Sequence, residues 1–158
     1  MSIVKLPQME HQMVEDLLNS QVICRIAFRG DDYPYMAPFQ YAYVDGNLYF
    51  HFTRYGKKMK LLEEDNRVAV EIEAFEPALH QYCFVVFRGE LVLVRDSMER
   101  EKAINHMAKF GSEKLSTNFL AAHGLKRSDG WQALTVEKPL NIVKLTNIVE
   151  TIALGSPD

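Results

Sequence analysis

The chain has 158 residues, enough for one domain with a sizeable core, and its 47% hydrophobic and 25% charged residues are the balance of a folded globular protein. A formal net charge of -3 argues against bulk attraction to nucleic acid or anionic membrane, so an anion site must come from local clustering of charge. No run approaches the ~20 apolar residues that span a bilayer, and Met1–Glu10 lacks the apolar centre of a signal peptide. Cys24 and Cys83 stand alone in apolar, strand-like runs, which offers neither a CxxC redox pair nor a metal site. Free thiols fit a reducing, cytoplasmic location, with a single disulfide between the two left open.

The spacing predicts an amphipathic helix over Pro7–Asn19, with Met9, Met13, Leu17 and Leu18 on one side. Gln21–Phe28 reads as a strand stopped by the turn Gly30-Asp31-Asp32. Tyr35–Val44 and Leu48–Thr53 read as a hairpin about Asp45-Gly46-Asn47. A helix over Gly56–Asp65 and strands over Arg67–Ala74 and Tyr82–Val94 come next, the last long enough to bend round a barrel. Asp96-Ser97-Met98-Glu99 has the form of a capping box opening a helix that runs towards Gly111. A short helix over Ser112–His123 closes at Gly124, and strands over Trp131–Glu137 and Leu140–Ile152 turn the corner at Lys138-Pro139. Many short strands and few βαβ units predict one mainly β domain over residues 1–158, an antiparallel barrel of six to seven strands flanked by helices.

Four of the eighteen Lys and Arg residues fall between Arg54 and Lys60, where a strand hands over to a helix that ends in Glu63-Glu64-Asp65. That polarity opposes the helix dipole, which favours anions at the N-terminus and cations at the C-terminus by ~0.3–1 kcal/mol each. A bound phosphate would resolve the conflict, with Gly56 in a tight turn, Lys57 and Lys58 as point charges and Thr53 as a hydroxyl donor. A solvated positive patch on an exposed turn has the same sequence. Aromatic residues crowd the approach, among them Tyr35, Phe39, Tyr41, Tyr49 and Phe52. A phosphate site beside a flat apolar pocket suits a mononucleotide-like ligand, although alternating aromatics are also ordinary strand-pairing residues.

Several segments in order carry a family likeness: Cys24-Arg25-Ile26-Ala27, Pro34-Tyr35-Met36-Ala37-Pro38-Phe39, Asp45-Gly46-Asn47-Leu48-Tyr49-Phe50-His51, Gly56-Lys57-Lys58, and Asn66-Arg67-Val68-Ala69-Val70-Glu71. Phe84–Leu91, holding Arg88-Gly89-Glu90, continues the series. Over about residues 16–110 the sequence resembles the pyridoxamine-phosphate-oxidase-like FMN-binding split-barrel superfamily, in its branch of nitroimidazole-reductase-type and flavin-nucleotide-binding proteins. The resemblance implies an FMN cofactor and a homodimer with the flavin at the subunit interface. It matches Lys57 and Lys58, with Gly56, to the flavin phosphate, and His51, Phe52 and Thr53 to the strand passing the ribityl chain and ring. Met36, Ala37, Pro38 and Phe39 match the strand facing the isoalloxazine edge. Phe84 stands where relatives often carry a polar residue near the flavin, and Trp131 is a candidate to approach the partner's flavin, with a core position as the alternative.

The tail beyond Trp131 lacks the basic substrate motif of true pyridoxamine-phosphate oxidases, which argues against vitamin B6 oxidation. If flavin binds, it carries the electron chemistry, and the implied reaction is reduction of a small nitro compound or quinone with a nicotinamide donor. His51 is the candidate catalytic residue for proton delivery or substrate polarisation. Three readings stay open beside this one: a non-catalytic flavin binder or electron carrier, a deazaflavin- or heme-using relative, and a flavin-free barrel that binds something else. For heme, His11, His80, His106 and His123 form no spaced ligand pair and read as surface residues. Neither a metal site nor a nucleic-acid partner is expected.

Overall fold

The computed structural model describes residues 2–30 and 32–156. Asp31, in the expected first turn, lies outside the described residues, as do Met1, Pro157 and Asp158. The elements are α1 (His11–Ser20), β1 (Ile23–Phe28), β2 (Tyr35–Val44), β3 (Asn47–Phe52), α2 (Lys57–Glu64), β4 (Arg67–Phe75), β5 (Tyr82–Leu93), α3 (Ser97–Lys114) and β6 (Asn141–Gly155). The strands close an antiparallel barrel in the order β1-β2-β3-β6-β5-β4, with β4 pairing back to β1. A closed barrel leaves no sheet edge free.

The period-2 pattern places the strands. Cys24, Ile26 and Phe28 of β1, Val68, Val70 and Ile72 of β4, and Val85, Phe87 and Leu91 of β5 fill the barrel interior. The β2–β3 hairpin turns on Asp45 and Gly46, both at positive φ (51° and 75°), with Val44 paired to Asn47. Positive φ at both central residues is the two-residue turn that matches strand twist, and Asp-Gly satisfies it. β5 and β6 slip register between the pairs Arg88–Glu150 and Glu90–Thr146, so β6 carries the longer path. Gly89 is required at this slip, because a Cβ there would sit 2.7 Å from the Thr146 carbonyl oxygen.

A second apolar layer lies outside the barrel. The outer faces of β2, β3 and β6, through Ala42, Tyr49 and Ile142, pack against Ala103, Ile104 and Met107 of α3 and against Leu120 and Trp131. Asp96 caps α3 by accepting from the Glu99 N–H at 2.8 Å. The Glu99 carboxylate does not complete a capping box. It accepts from the Tyr49 hydroxyl and Lys144 Nζ, both at 2.8 Å, and ties α3 to the barrel wall.

Four expectations need correction. α1 starts at His11, because Pro7–Met9 is extended and pairs with the end of β6: Met9 N–H donates to the Ala153 carbonyl, and Gly155 N–H to Pro7. α3 runs past Gly111 to Lys114, and the short helix after it is a 3-10 segment, Thr117–His123, that does close at Gly124 in the left-handed region. Cys83 is only half-buried, while Cys24 is fully buried, and both are free. Trp131–Glu137 is not a strand. Trp131–Ala133 is a 3-10 turn with Trp131 pressed onto Gly111 of α3, its indole N–H donating to the Leu115 carbonyl at 3.2 Å. Packing overrides β-propensity here, and with β3 bonded directly to β6 no position for a seventh strand remains.

Candidate functional site

Gln40 and His51 sit on the outer face of adjacent strands, in register just beyond the Tyr41–Phe50 pair. The 3-10 segment Thr117–His123 lies over them and brings His123 down onto the pair. Its closing residue, Gly124 at φ 71°, turns the chain away without a Cβ penalty. The result is a buried polar row. Gln40 Nε2 donates to the Met107 carbonyl of α3 at 2.8 Å, and Gln40 Oε1 lies 2.7 Å from His123 Nε2. His123 Nδ1 lies 3.2 Å from His51 Nδ1. The ring centroids are 5.2 Å apart with planes inclined 29°.

Burial pushes both histidines below their ordinary value, His51 to about 3 and His123 to about 4. For His51 the neighbouring His123 and Lys58 add to the effect. Both are therefore neutral near pH 7, and His51 carries no proton to give as an imidazolium. His123, expected at the surface, is buried and partnered with a histidine far from it in sequence.

Beside His51 is a cavity of about 70 Å³ lined by Pro38, Thr53 and Lys58 among others. Lys57 and Lys58 occupy the first turn of α2, with Gly56 as its N-cap at φ 98°. No acidic residue lies in that turn, and among the described residues neither lysine has a carboxylate partner. Lys57 Nζ rests 4.8 Å from the centre of the Tyr35 ring and Lys58 Nζ 4.6 Å from that of Phe39, contacts that steer the cations without neutralising them. A helix start with free N–H groups and two uncompensated ammonium groups fits a phosphate.

The remaining expected residues divide by face. Met36 and Pro38 point outward and are exposed, next to Gln40 in the same row. Ala37, Phe39 and Phe52 point into the barrel, where Phe39 stacks on Phe52 at 5.0 Å, and Phe39 and Phe52 also border the cavity. Thr53, expected to donate to an anion, donates instead to the Tyr55 carbonyl at 2.8 Å and offers a ligand only its lone pairs. Phe84 does not line this cavity. It lies on the outer face of β5, opposite Glu73 of β4 and Leu154 of β6. Trp131 is buried and meets His123 edge-on at 5.8 Å, backing the histidine row from behind.

A larger cavity, about 530 Å³, opens near Arg29, Arg67 and Arg88. Its arginines are partly compensated: Arg29 and Arg67 share Asp65, and Arg88 pairs with Glu150. The lysine pair is the better anion site despite its smaller notch.

The sequence profile of the pyridoxamine 5'-phosphate oxidase family matches residues 10–129, roughly three quarters of the chain. The chain belongs to this family. The matched segment contains Gln40, His51, Lys57, Lys58, Phe84 and His123 and ends just short of Trp131. Among solved structures, an FAD-binding protein from Mesorhizobium loti is 20% identical with a TM-score of 0.67, over 98% of this chain and 100% of that one. A putative 5-nitroimidazole antibiotic resistance protein from Bacteroides thetaiotaomicron is 15% identical, TM-score 0.65, over 98% and 92%. The FAD-binding protein from Mycobacterium smegmatis is 16% identical, TM-score 0.61, over 94% and 97%. These structures share the family's split-barrel fold with this chain. No curated protein matches it.

Proposed function

We propose that this protein is a flavoprotein that binds FMN at the Lys57–Lys58 helix start, as a homodimer whose subunits share the site. The observation that carries the reading is the uncompensated lysine pair in the first turn of α2, beside the cavity under His51. The flavin-binding structural neighbours from Mesorhizobium loti and Mycobacterium smegmatis support the cofactor class. Two lysines and one helix terminus suit a single phosphate group, which favours FMN over FAD.

The dimer is supported by the outer face of β5 and β6. Phe84 and Val86 stand opposite Leu154 and Ile152 there, flanked by Arg25 bridging Glu71 and Glu73. An apolar centre with a charged rim has the anatomy of an interface, and Phe84 on it could reach the site of a second copy. On this reading the flavin supplies the electron transfer, and a small electron-poor substrate such as a nitro compound or quinone is reduced at the expense of a nicotinamide donor. The chain itself binds the phosphate, holds the ring and offers His51 as a neutral hydrogen-bonding group. The neutrality of both histidines favours a second reading, a non-catalytic flavin carrier, because neither is a ready proton donor near pH 7.

The test is the absorption spectrum of the purified protein, with mass spectrometry of what denaturation releases. Flavin bands with released FMN are expected, and turnover of nitro compounds or quinones with NADH or NADPH then separates enzyme from carrier. Released FAD or deazaflavin would replace the cofactor assignment, a Soret band would point to heme, and a colourless protein that also fails to bind added FMN would overturn the flavin reading.

A further inference from the structure

The hydrogen-bond row from α3 to His51 has a fixed direction. The Met107 carbonyl can only accept, so the group of Gln40 that faces it at 2.8 Å is the amide NH2. Gln40 Oε1 must then face His123 Nε2, 2.7 Å away, and only accepts. His123 Nε2 therefore carries the proton. A neutral imidazole has one N–H, so His123 Nδ1 is bare and accepts across the 3.2 Å gap from His51 Nδ1–H. His51 Nε2 is left with a lone pair.

That atom faces the cavity. Among the described residues no protein group bonds His51 Nε2, and no fully buried side-chain nitrogen or oxygen lacks a partner, so Nε2 reaches the open side of the cavity it lines with Lys58. Reversing the row does not help an acceptor ligand. It would turn Gln40 Oε1 onto the Met107 carbonyl, setting two acceptors against each other in a buried site and leaving both without a donor.

We propose that Gln40 and His123 are positioning residues that lock His51 in the Nδ1–H tautomer, making Nε2 an obligate hydrogen-bond acceptor that takes a ligand hydroxyl and refuses an anionic oxygen. Resting on the flavin reading above, the hydroxyl belongs to the ribityl chain, and the site is divided: cations at Lys57 and Lys58 take the phosphate, and a neutral acceptor at His51 takes the polyol. This division accounts for a histidine beside a phosphate site that does not itself become a phosphate ligand.

The first readout is the two-bond ¹H–¹⁵N correlation spectrum of the ¹⁵N-labelled wild-type protein at pH 7, with histidine-to-glutamine variants for assignment. His51 with bare Nε2 and protonated Nδ1, and His123 with the opposite pattern, is the expected result. A proton on His51 Nε2, or a charged His51, would overturn the proposal. The second readout compares FMN with a flavin carrying a 5-phosphopentyl chain, which lacks the hydroxyls. Wild type should prefer FMN by about tenfold, the size of one good hydrogen bond. Gln40→Leu, which frees the row to reverse, should bring a form with protonated His51 Nε2 into the same correlation spectrum. An unchanged His51 pattern in that variant, or no preference for FMN in wild type, would also overturn it. If wild type binds neither flavin, the flavin reading fails, and the tautomer spectrum still decides the histidine row by itself.

Discussion

Burial of His51 and His123 has a direct consequence for stability against acid. Their folded values of about 3 and about 4 lie below the ordinary 6.5, so the unfolded chain takes up protons first as pH falls. The stabilisation is complete above pH 6.5 and is lost below it, at about 1.4 kcal/mol per histidine for each pH unit, until the folded values are reached. The half-buried His106 acts in the same direction. Carboxylates held low by partners, such as Asp65 and Glu99, enter only nearer their own ordinary values of 3.8 and 4.5, while Glu71, raised chiefly by burial, works against the loss at the lower end, so the fall between pH 6.5 and 4.5 comes from the histidines. Urea midpoints across that window should fall steeply for wild type and less steeply for His123→Gln, which cannot titrate. Identical slopes would mean that His123 is not buried as a neutral group. At this scale the sequence announced the cations, since Lys57 and Lys58 at the wrong end of a helix are visible without coordinates. Gln40 and His123 were not legible. One is a polar residue in an otherwise aromatic strand, the other a histidine before a capping glycine, and only the folded 3-10 segment puts them together.

At the scale of elements, α3 holds the second layer in place, and two of its residues can be weighed. Asp96→Ala removes the cap on the Glu99 N–H and should cost about 1 kcal/mol in urea unfolding. Gly111 opposes two effects. Alanine is the better helix former by about 1 kcal/mol, but its Cβ would lie 2.2 Å from the Trp131 ring, which is wedged against the helix and cannot move freely. Overpacking of about 1–3 kcal/mol should win, so Gly111→Ala is expected to destabilise and to shift the Trp131 fluorescence. A stabilised variant would show that Trp131 is not docked as described. The same contact explains why the last expected strand is missing. Trp131-Gln132-Ala133-Leu134 has a plausible strand pattern, and nothing local reveals that Gly111 offers a slot for the ring. The hairpin about Asp45-Gly46 and the strands β2, β4 and β5 were legible because alternation and turn chemistry agreed.

For the whole molecule, the barrel interior and the outer layer account for the buried apolar residues of α3 and of the β2, β3 and β6 faces, and among the described residues leave the Phe84, Val86, Ile152 and Leu154 face of β5 and β6 only partly covered. Val86→Glu combined with Ile152→Glu should convert the expected dimer to monomer in light scattering and weaken flavin binding with it, while leaving the barrel's circular dichroism unchanged. A dimer that persists would place the interface elsewhere. The central claim is that Lys57 and Lys58 hold a flavin phosphate, and equilibrium titration of the apoprotein with FMN tests it most directly. Two charge-assisted contacts at about 1.5–3 kcal/mol each set the expected loss at 100-fold or more in the Lys57→Glu/Lys58→Glu protein, with its unfolding midpoint close to that of wild type. Equal FMN affinity in the two proteins would contradict the assignment.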